Sequence, residues 1–180
     1  KIKNDKESEI RPCVGATYCL DRIYEGKEAL CIHNPATGRE KNIPHAITTL
    51  AINRKKIIVV GAGPAGLEAA KVCSERGHQV EIFEASSNPG GQINLITRSN
   101  RRKDMIGIID WREDACKKNN VKFNYNTFAT KQMIIEQNPD VVIIATGGVP
   151  NIEIIESGSE LVCSTWDIIS GSINIEEDVI

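Results

Sequence analysis

Three cysteines lie close together near the start of the chain, at spacings that could serve metal binding. Cys13, Cys19 and Cys31 follow a C-x5-C and then a C-x11-C pattern, and His33 comes two residues later. Structural zinc sites usually need a second close cysteine pair or added histidines, and iron–sulfur clusters usually take four thiolates. This set is one thiolate short of that number. Spacing alone therefore leaves a metal or cluster site and three unrelated thiols both open.

A glycine-rich run, "GAGPAG", is the second group of residues with a chemical signature. It extends from Gly61 to Gly66 in a G-x-G-x-x-G pattern, between an apolar run and a helical pattern, and Glu84 follows at the end of the next apolar run. In this context the first glycine permits a tight turn, and Gly63 lets a pyrophosphate approach the backbone. Gly66 then allows the helix to pack closely on the sheet. Pro64 suits a first helical turn, where its missing N–H has no partner.

The pattern predicts a bound dinucleotide. The free N–H groups of the helix start would face phosphate, and Glu84 would accept the hydroxyls of an adenosine ribose while repelling a 2′-phosphate. The loop alone leaves FAD, ADP and NAD open. Two later stretches favour FAD: "PGGQ", residues 89–92, and "ATGG", residues 145–148, which ends an apolar strand where open α/β sheets bind ligands. Simple turn glycines are the alternative for the second stretch.

Strands and helices alternate after the first third of the chain. Residues 1–50 are irregular, with at most a short helix around "LDRIYEG", whereas "KKIIVV", "QVEIFE", "VKFNYN" and "DVVIIATGG" have strand composition and the last is expected to be buried. Helical spacing separates these runs. The sequence predicts an α/β fold: a Rossmann-like FAD/NAD(P)-binding domain with a mostly parallel sheet, preceded by an irregular cysteine-bearing linker. Gly77 is expected to end the first helix after the glycine loop.

Composition excludes several classes of function. The 180 residues carry a net charge of −2 and 41% hydrophobic residues, so the chain has no basic footprint for nucleic acid and no apolar run long enough for a membrane span. With no signal-like segment, a cytoplasmic protein without a disulfide scaffold is expected. The ends suggest a fragment, with Val179 and Ile180 resembling the opening of a strand. The other cysteines, Cys73, Cys116 and Cys163, are expected to be packing residues.

The stretch "RPCVGATYCLDRIYEGKEALCIHNPATGRE" with "KKIIVVGAGPAGLEAA" resembles a family of iron–sulfur flavoproteins. That family includes trimethylamine dehydrogenase, 2,4-dienoyl-CoA reductase and the demethylases of dimethylglycine and N-methylproline. "EASSNPGGQI", "VVIIATGGVPN" and "STWDIISG" are similar to the demethylase branch. The resemblance implies an FMN-binding N-terminal barrel that this chain lacks, followed by a cluster-binding cysteine loop (residues 1–50). A truncated FAD- or ADP-binding domain (residues 51–180) would come next.

The resemblance also assigns site residues. Cys13, Cys19 and Cys31 match three of the family's four cluster ligands, but Ala16 stands at the fourth cysteine position. This difference leaves three outcomes open: a cluster with a non-cysteine ligand such as His33, a three-iron cluster, or no cluster. The positions that match the family's nucleotide-binding residues are Gly61, Gly63, Pro64, Ala65, Gly66, Glu84, Gly91, Gln92, Ala129, Ala145, Thr146 and Gly147.

By resemblance, the chain is an electron-transfer segment of a flavin-dependent oxidoreductase. The full protein would demethylate an N-methylated amine or amino acid, with FMN in the missing barrel, and would pass electrons to an acceptor flavoprotein or exchange them with NAD(P)H. An NADPH-dependent enoyl reductase and a structural ADP-binding module without redox activity are the alternatives. No catalytic acid or base is assigned within these residues, and the small-molecule substrate would bind the missing domain.

Overall fold

The computed structural model describes residues 1–48, 50–151 and 157–174, so the strand expected at Val179 and Ile180 lies outside the described residues. Its strands are β1 (Lys56–Val60), β2 (Gln79–Phe83), β3 (Lys122–Asn124) and β4 (Val141–Ile144). Its α-helices are α1 (Tyr18–Tyr24), α2 (Pro64–Glu75), α3 (Gln92–Ile96), α4 (Gly107–Lys118), α5 (Lys131–Glu136) and α6 (Thr165–Ser170). Short 3₁₀ turns cover Ile2–Asn4, Glu7–Glu9, Lys103–Ile106 and Ser159–Leu161.

The four strands form one sheet in the order β3-β2-β1-β4, and every neighbouring pair is parallel. Ile58 in the centre of β1 lies opposite Glu81 on one side and Val142 on the other. This arrangement confirms the α/β, Rossmann-like fold expected from the alternating elements. Because all strands run the same way, their carboxyl ends meet at one edge of the sheet, where the glycine-rich stretches follow β1 and β4.

The main core lies on the face of the sheet that α2 and α4 cover. Leu67 of α2, Ile109 and Cys116 of α4, and Val59 of β1 are almost fully buried there, and burial of such apolar side chains is the main stabilising contribution to a fold. A smaller cluster of Ile58, Phe83 and Ile134 occupies the opposite face beneath α5.

β4 is less buried than its composition suggests. Val142 is 39% exposed and Ile144 is 69% exposed, so the expectation of a fully buried strand is wrong for this face. Both side chains lie beside Ile58 and Val60 on the face that, in the described part of the chain, the short helix α5 covers. Strand composition indicates a buried position but cannot show how much of each face the rest of the molecule covers.

Helix α2 begins and ends at the residues that its sequence predicts. Gly63 precedes it with φ −70° and ψ 179°, and Pro64 is its first residue. After Glu75 the chain turns through Arg76 into Gly77, whose φ of +90° lies in the left-handed region that glycine tolerates best. The first turn of α2 is thereby fixed directly after β1, at the carboxyl edge of the sheet.

Candidate nucleotide-binding site

Two glycines of the loop between β1 and α2 are required by the fold itself. Gly61 has a φ of +102°, and a Cβ there would overlap the carbonyl oxygen of Ala145 at the end of β4. A Cβ on Gly66 would overlap the carbonyl oxygen of Gly61 and lie 3.3 Å from the Ala145 methyl. These contacts hold the start of α2 tightly against β1 and β4.

Gly63 is different, because among the described residues no atom beyond its neighbours in the chain lies within 4 Å of a Cβ placed on it. Its backbone is also in an ordinary extended conformation, with a φ of −70°. Pro64 and Ala65 follow in the first turn of α2, where backbone N–H groups have no partners within a helix. In the described part of the chain, no side chain caps this helix start. The space at Gly63 therefore suits the close approach of a ligand rather than packing within the protein.

Glu84 lies beside the loop at the end of β2. Its carboxylate oxygens accept hydrogen bonds from the N–H of Ala62 at 2.7 Å and from the N–H of Ser86 at 2.8 Å. The side chain is half-buried, so these two bonds fix a negative charge next to the glycine loop. Binding of a ribose by Glu84 stays a prediction.

The "PGGQ" and "ATGG" stretches lie against this loop. Gly90 donates its N–H to the carbonyl of Ala62 at 2.9 Å. A Cβ on Gly91, whose φ is +52°, would lie 3.6 Å from the Cα of Gly63. Gln92 Nε2 donates to the carbonyl of Gly148 at 3.3 Å. Three glycine-bearing segments that are far apart in sequence thus meet at the carboxyl edge of the sheet.

The remaining residues assigned to the nucleotide occupy different surroundings. Ala145 pairs with β1, its N–H donating to the carbonyl of Val60 at 2.8 Å, while Thr146 and Gly147 are exposed beyond it. Ala129 is half-buried against the smaller core cluster beneath α5, just before Thr130, which caps that helix. A role for Ala129 in binding adenine stays a prediction.

The cysteine-bearing segment, residues 11–34, packs on α2 and α4. Cys13 is exposed, and Cys19 and Cys31 are half-buried. Among the residues that the structure describes, no three His, Cys, Asp or Glu side chains form a group that could hold a metal ion. The structure therefore does not bring Cys13, Cys19 and Cys31 together in such a group, and their assignment as cluster ligands stays a prediction.

Sequence reasoning missed the ionic network that holds this segment. Arg112 of α4 is 4% exposed and donates to Glu68 on α2 at 2.7 Å and to the carbonyl of His33 at 2.9 Å. Burial, together with the charge of Arg112, lowers the pKa of His33 to about 4, so its ring is neutral at physiological pH. Arg112 falls at helical spacing with Ile108 and Ile109, and a charge on such an apolar face signals a buried partner.

The other three cysteines behave differently from one another. Cys116 is fully buried with its Sγ directed at the carbonyl of Leu67, and burial raises the pKa of its thiol to about 12. Cys73 is half-buried against the main core, and burial raises the pKa of its thiol too. Cys163 is exposed, so the expectation that it packs in the interior is wrong.

Comparison with known proteins agrees with the fold and with the glycine loop. Residues 59–110 match the family model described as an NAD(P)-binding Rossmann-like domain. A solved structure titled as a 2-naphthoyl-CoA reductase complex superposes with a TM-score of 0.89 at 32% identity, covering 98% of this chain and 27% of that one. The sheet, the loop and these matches define a Rossmann-like nucleotide-binding domain.

Similarity to curated proteins extends over almost the whole chain. The chain is 59% identical over 171 residues to a probable N-methylproline demethylase of Rhizobium meliloti, covering 95% of this chain and 25% of that protein. It is 44% identical to a multifunctional alkene reductase/demethylase of Caballeronia cordobensis, covering 99% and 26%. It is 42% identical to an N,N-dimethylglycine/sarcosine dehydrogenase of Chromohalobacter salexigens, covering 100% and 27%. The chain belongs to this family of flavin-dependent oxidoreductases and spans about a quarter of the length of these relatives.

The described part of the chain contains no helix with the length and apolar character needed to cross a bilayer.

Proposed function

We propose that this domain binds FAD across the three glycine-bearing segments and serves electron transfer in a flavin-dependent oxidoreductase. The observation that carries the proposal is Gly63: its Cβ position is open, its backbone conformation suits any residue, and it lies next to Gly91. Packing within the protein gives no reason for a glycine there, whereas a closely approaching pyrophosphate does.

The chain's own residues divide the binding task. The loop at Gly61–Gly66 and the N–H groups at the start of α2 would hold the pyrophosphate, because a helix start favours negative charge. Glu84 would bind the ribose hydroxyls, and Gly91, Gln92 and Gly147 would form the wall towards the flavin end. When bound, FAD supplies the capacity to accept and pass on electrons.

For the full protein we propose oxidative demethylation of an N-methylated amine or amino acid. The support is the 59% identity to the protein named as a probable N-methylproline demethylase. FMN and the small-molecule substrate would bind an N-terminal barrel outside this chain, and an acceptor flavoprotein or NAD(P)H would be the redox partner. A cytoplasmic location is part of the same proposal.

Alkene reduction is the second candidate. The specific support is the relative named as both an alkene reductase and a demethylase, at 44% identity. The full-length protein, assayed anaerobically, separates the two reactions. Flavin reduction by N-methylproline supports demethylation, and reduction of an α,β-unsaturated acid by NADPH supports the alternative.

The test of nucleotide binding uses the full-length protein and the variant Gly63→Ala. Denatured wild-type protein is expected to release FAD, identified by chromatography against FMN and ADP standards. Gly63→Ala is expected to keep its melting temperature while losing at least about tenfold in FAD affinity, equivalent to about 1.4 kcal/mol. Release of ADP in place of FAD would support the structural alternative, and undiminished FAD binding by Gly63→Ala would contradict the assignment of the loop.

A further inference from the structure

The cysteine-bearing segment lacks a thiol at the position where the resemblance implies a fourth cluster ligand. Ala16 stands there, and its methyl group packs against the main core together with the buried Val14. An alanine side chain has no lone pair to offer iron, and iron–sulfur clusters are normally held by four thiolates. The segment therefore folds inward at the position where a ligand would be needed.

The three remaining thiols do not compensate. As described above, the described residues contain no group of three His, Cys, Asp or Glu side chains that could hold a metal ion. Cys13 is exposed, and Cys31 Sγ accepts the N–H of Asn34 at 3.4 Å. This donor set does not fit a cluster.

His33 is the obvious substitute ligand, and its surroundings give it another role. The ring is 1% exposed, its Nδ1 lies 3.0 Å from the carbonyl oxygen of Pro12, and its edge packs against Trp111 at a centroid distance of 5.9 Å. Its Nε2 has no hydrogen-bond partner among the described residues. The ring therefore fills the space between the segment and α4.

Several contacts with charged side chains hold the segment in place. The carbonyl of His33 accepts hydrogen bonds from two guanidinium groups, Arg112 and Arg11, each at 2.9 Å. Arg11 also donates to Asn34 Oδ1 at 3.1 Å and lies 4.0 Å above the ring of Trp111, a cation–π contact. Arg112 is buried and ties the same carbonyl to Glu68 on α2. Charge-assisted bonds of this kind are among the stronger polar contacts in a protein.

We propose that residues 11–34 hold no iron–sulfur cluster and form a metal-free clamp. Arg112 anchors this clamp to helices α2 and α4. The clamp attaches the segment that precedes the nucleotide domain to α2. This helix begins at the glycine loop. In this protein the cysteine-bearing segment has become a structural connection. The proposal does not depend on which nucleotide the domain binds.

The test uses the full-length protein, purified anaerobically from iron-supplemented cells and treated with ferrous iron and sulfide. Wild-type protein is expected to contain well under about 0.5 iron atoms per chain. The triple variant Cys13→Ser/Cys19→Ser/Cys31→Ser is expected to melt within about 2 °C of wild type.

Arg112→Met is expected to increase proteolytic cleavage within residues 1–50 at least about threefold. The matched control is the exposed Arg101→Met, which is expected to leave this cleavage unchanged. If Arg112→Met does not fold, Arg11→Met provides the same readout.

Two results would overturn the proposal. The first is about three or four irons per chain in wild-type protein, with sulfide and visible absorption that the triple serine variant loses, which would show a cluster. The second is unchanged cleavage of residues 1–50 in both Arg112→Met and Arg11→Met, which would show that these residues are not the anchor.

Discussion

The glycines of the glycine loop are required for different physical reasons. Gly61 and Gly66 leave room for other parts of the protein, namely the carbonyl oxygens of Ala145 and Gly61. Gly63 leaves room that no other described residue fills. Substitutions at these positions should therefore separate the requirements of folding from those of ligand binding.

Gly66→Ala is expected to destabilise the fold by about 3 kcal/mol, the upper part of the range for overpacking. The added methyl group would overlap the backbone of Gly61, and backbone atoms cannot move aside as a flexible side chain can. Thermal unfolding of the full-length protein measures the effect. Gly148→Ala is the control, since a Cβ there has open space and no unusual φ. Equal melting temperatures for the two variants would mean that the close helix–sheet contact does not exist.

At the scale of elements, β2 and β3 are joined by a charged group within the sheet. Glu81 is 7% exposed in the middle of β2 and accepts hydrogen bonds from Lys122 at 2.6 Å and Asn124 at 2.7 Å on β3. Burial alone would raise the pKa of Glu81, but the bonds from Lys122 and Asn124, together with the charges of Lys122 and Lys56, outweigh it and hold the pKa below its ordinary value of 4.5. The ionised form therefore stabilises the strand pair.

The pH dependence follows from the sign of this shift. A carboxyl whose pKa is lowered on folding contributes stability above its ordinary pKa and loses it as the pH falls through the lower folded value. At pH 7, Glu81→Gln is expected to lower hydrogen-exchange protection of the β3 amides by the equivalent of about 1–2 kcal/mol. The difference from wild type should shrink below pH 4.5. Exposed Glu136→Gln controls for loss of one carboxylate, and a wild-type-to-variant difference that grows on acidification would refute the assignment.

Elements near the glycine loop could be predicted, and those that depend on distant contacts could not. β1, α2 and β2 are encoded locally, by an apolar run, a glycine turn, Pro64 and a helical pattern that ends before Gly77. The short helices α3 and α6 were not predicted from the local pattern. The anchoring of residues 11–34 was also missed, since Arg112 and His33 are 79 positions apart and no local pattern relates them.

On the scale of the whole molecule, the two faces of the sheet are covered unequally. Parallel sheets usually have helices on both faces. Here α2 and α4 cover one face, while the other carries the short α5 and leaves Val142 and Ile144 of β4 exposed together with Phe128, which is 79% exposed. Apolar side chains on an exposed strand favour pairing with another molecule.

The 180-residue chain, produced on its own, is therefore expected to self-associate through this face. Val142→Thr/Ile144→Thr should shift association to several-fold higher protein concentration, because threonine keeps the strand propensity of a β-branched residue while reducing apolar surface. Light scattering coupled to size-exclusion chromatography over a concentration series measures the change. Ile2→Thr/Ile52→Thr is the matched control, since these side chains are 68% and 99% exposed but lie outside the sheet. A chain that stays monomeric throughout, or an equal effect of both double variants, would show that general hydrophobicity rather than the β4 face determines its behaviour.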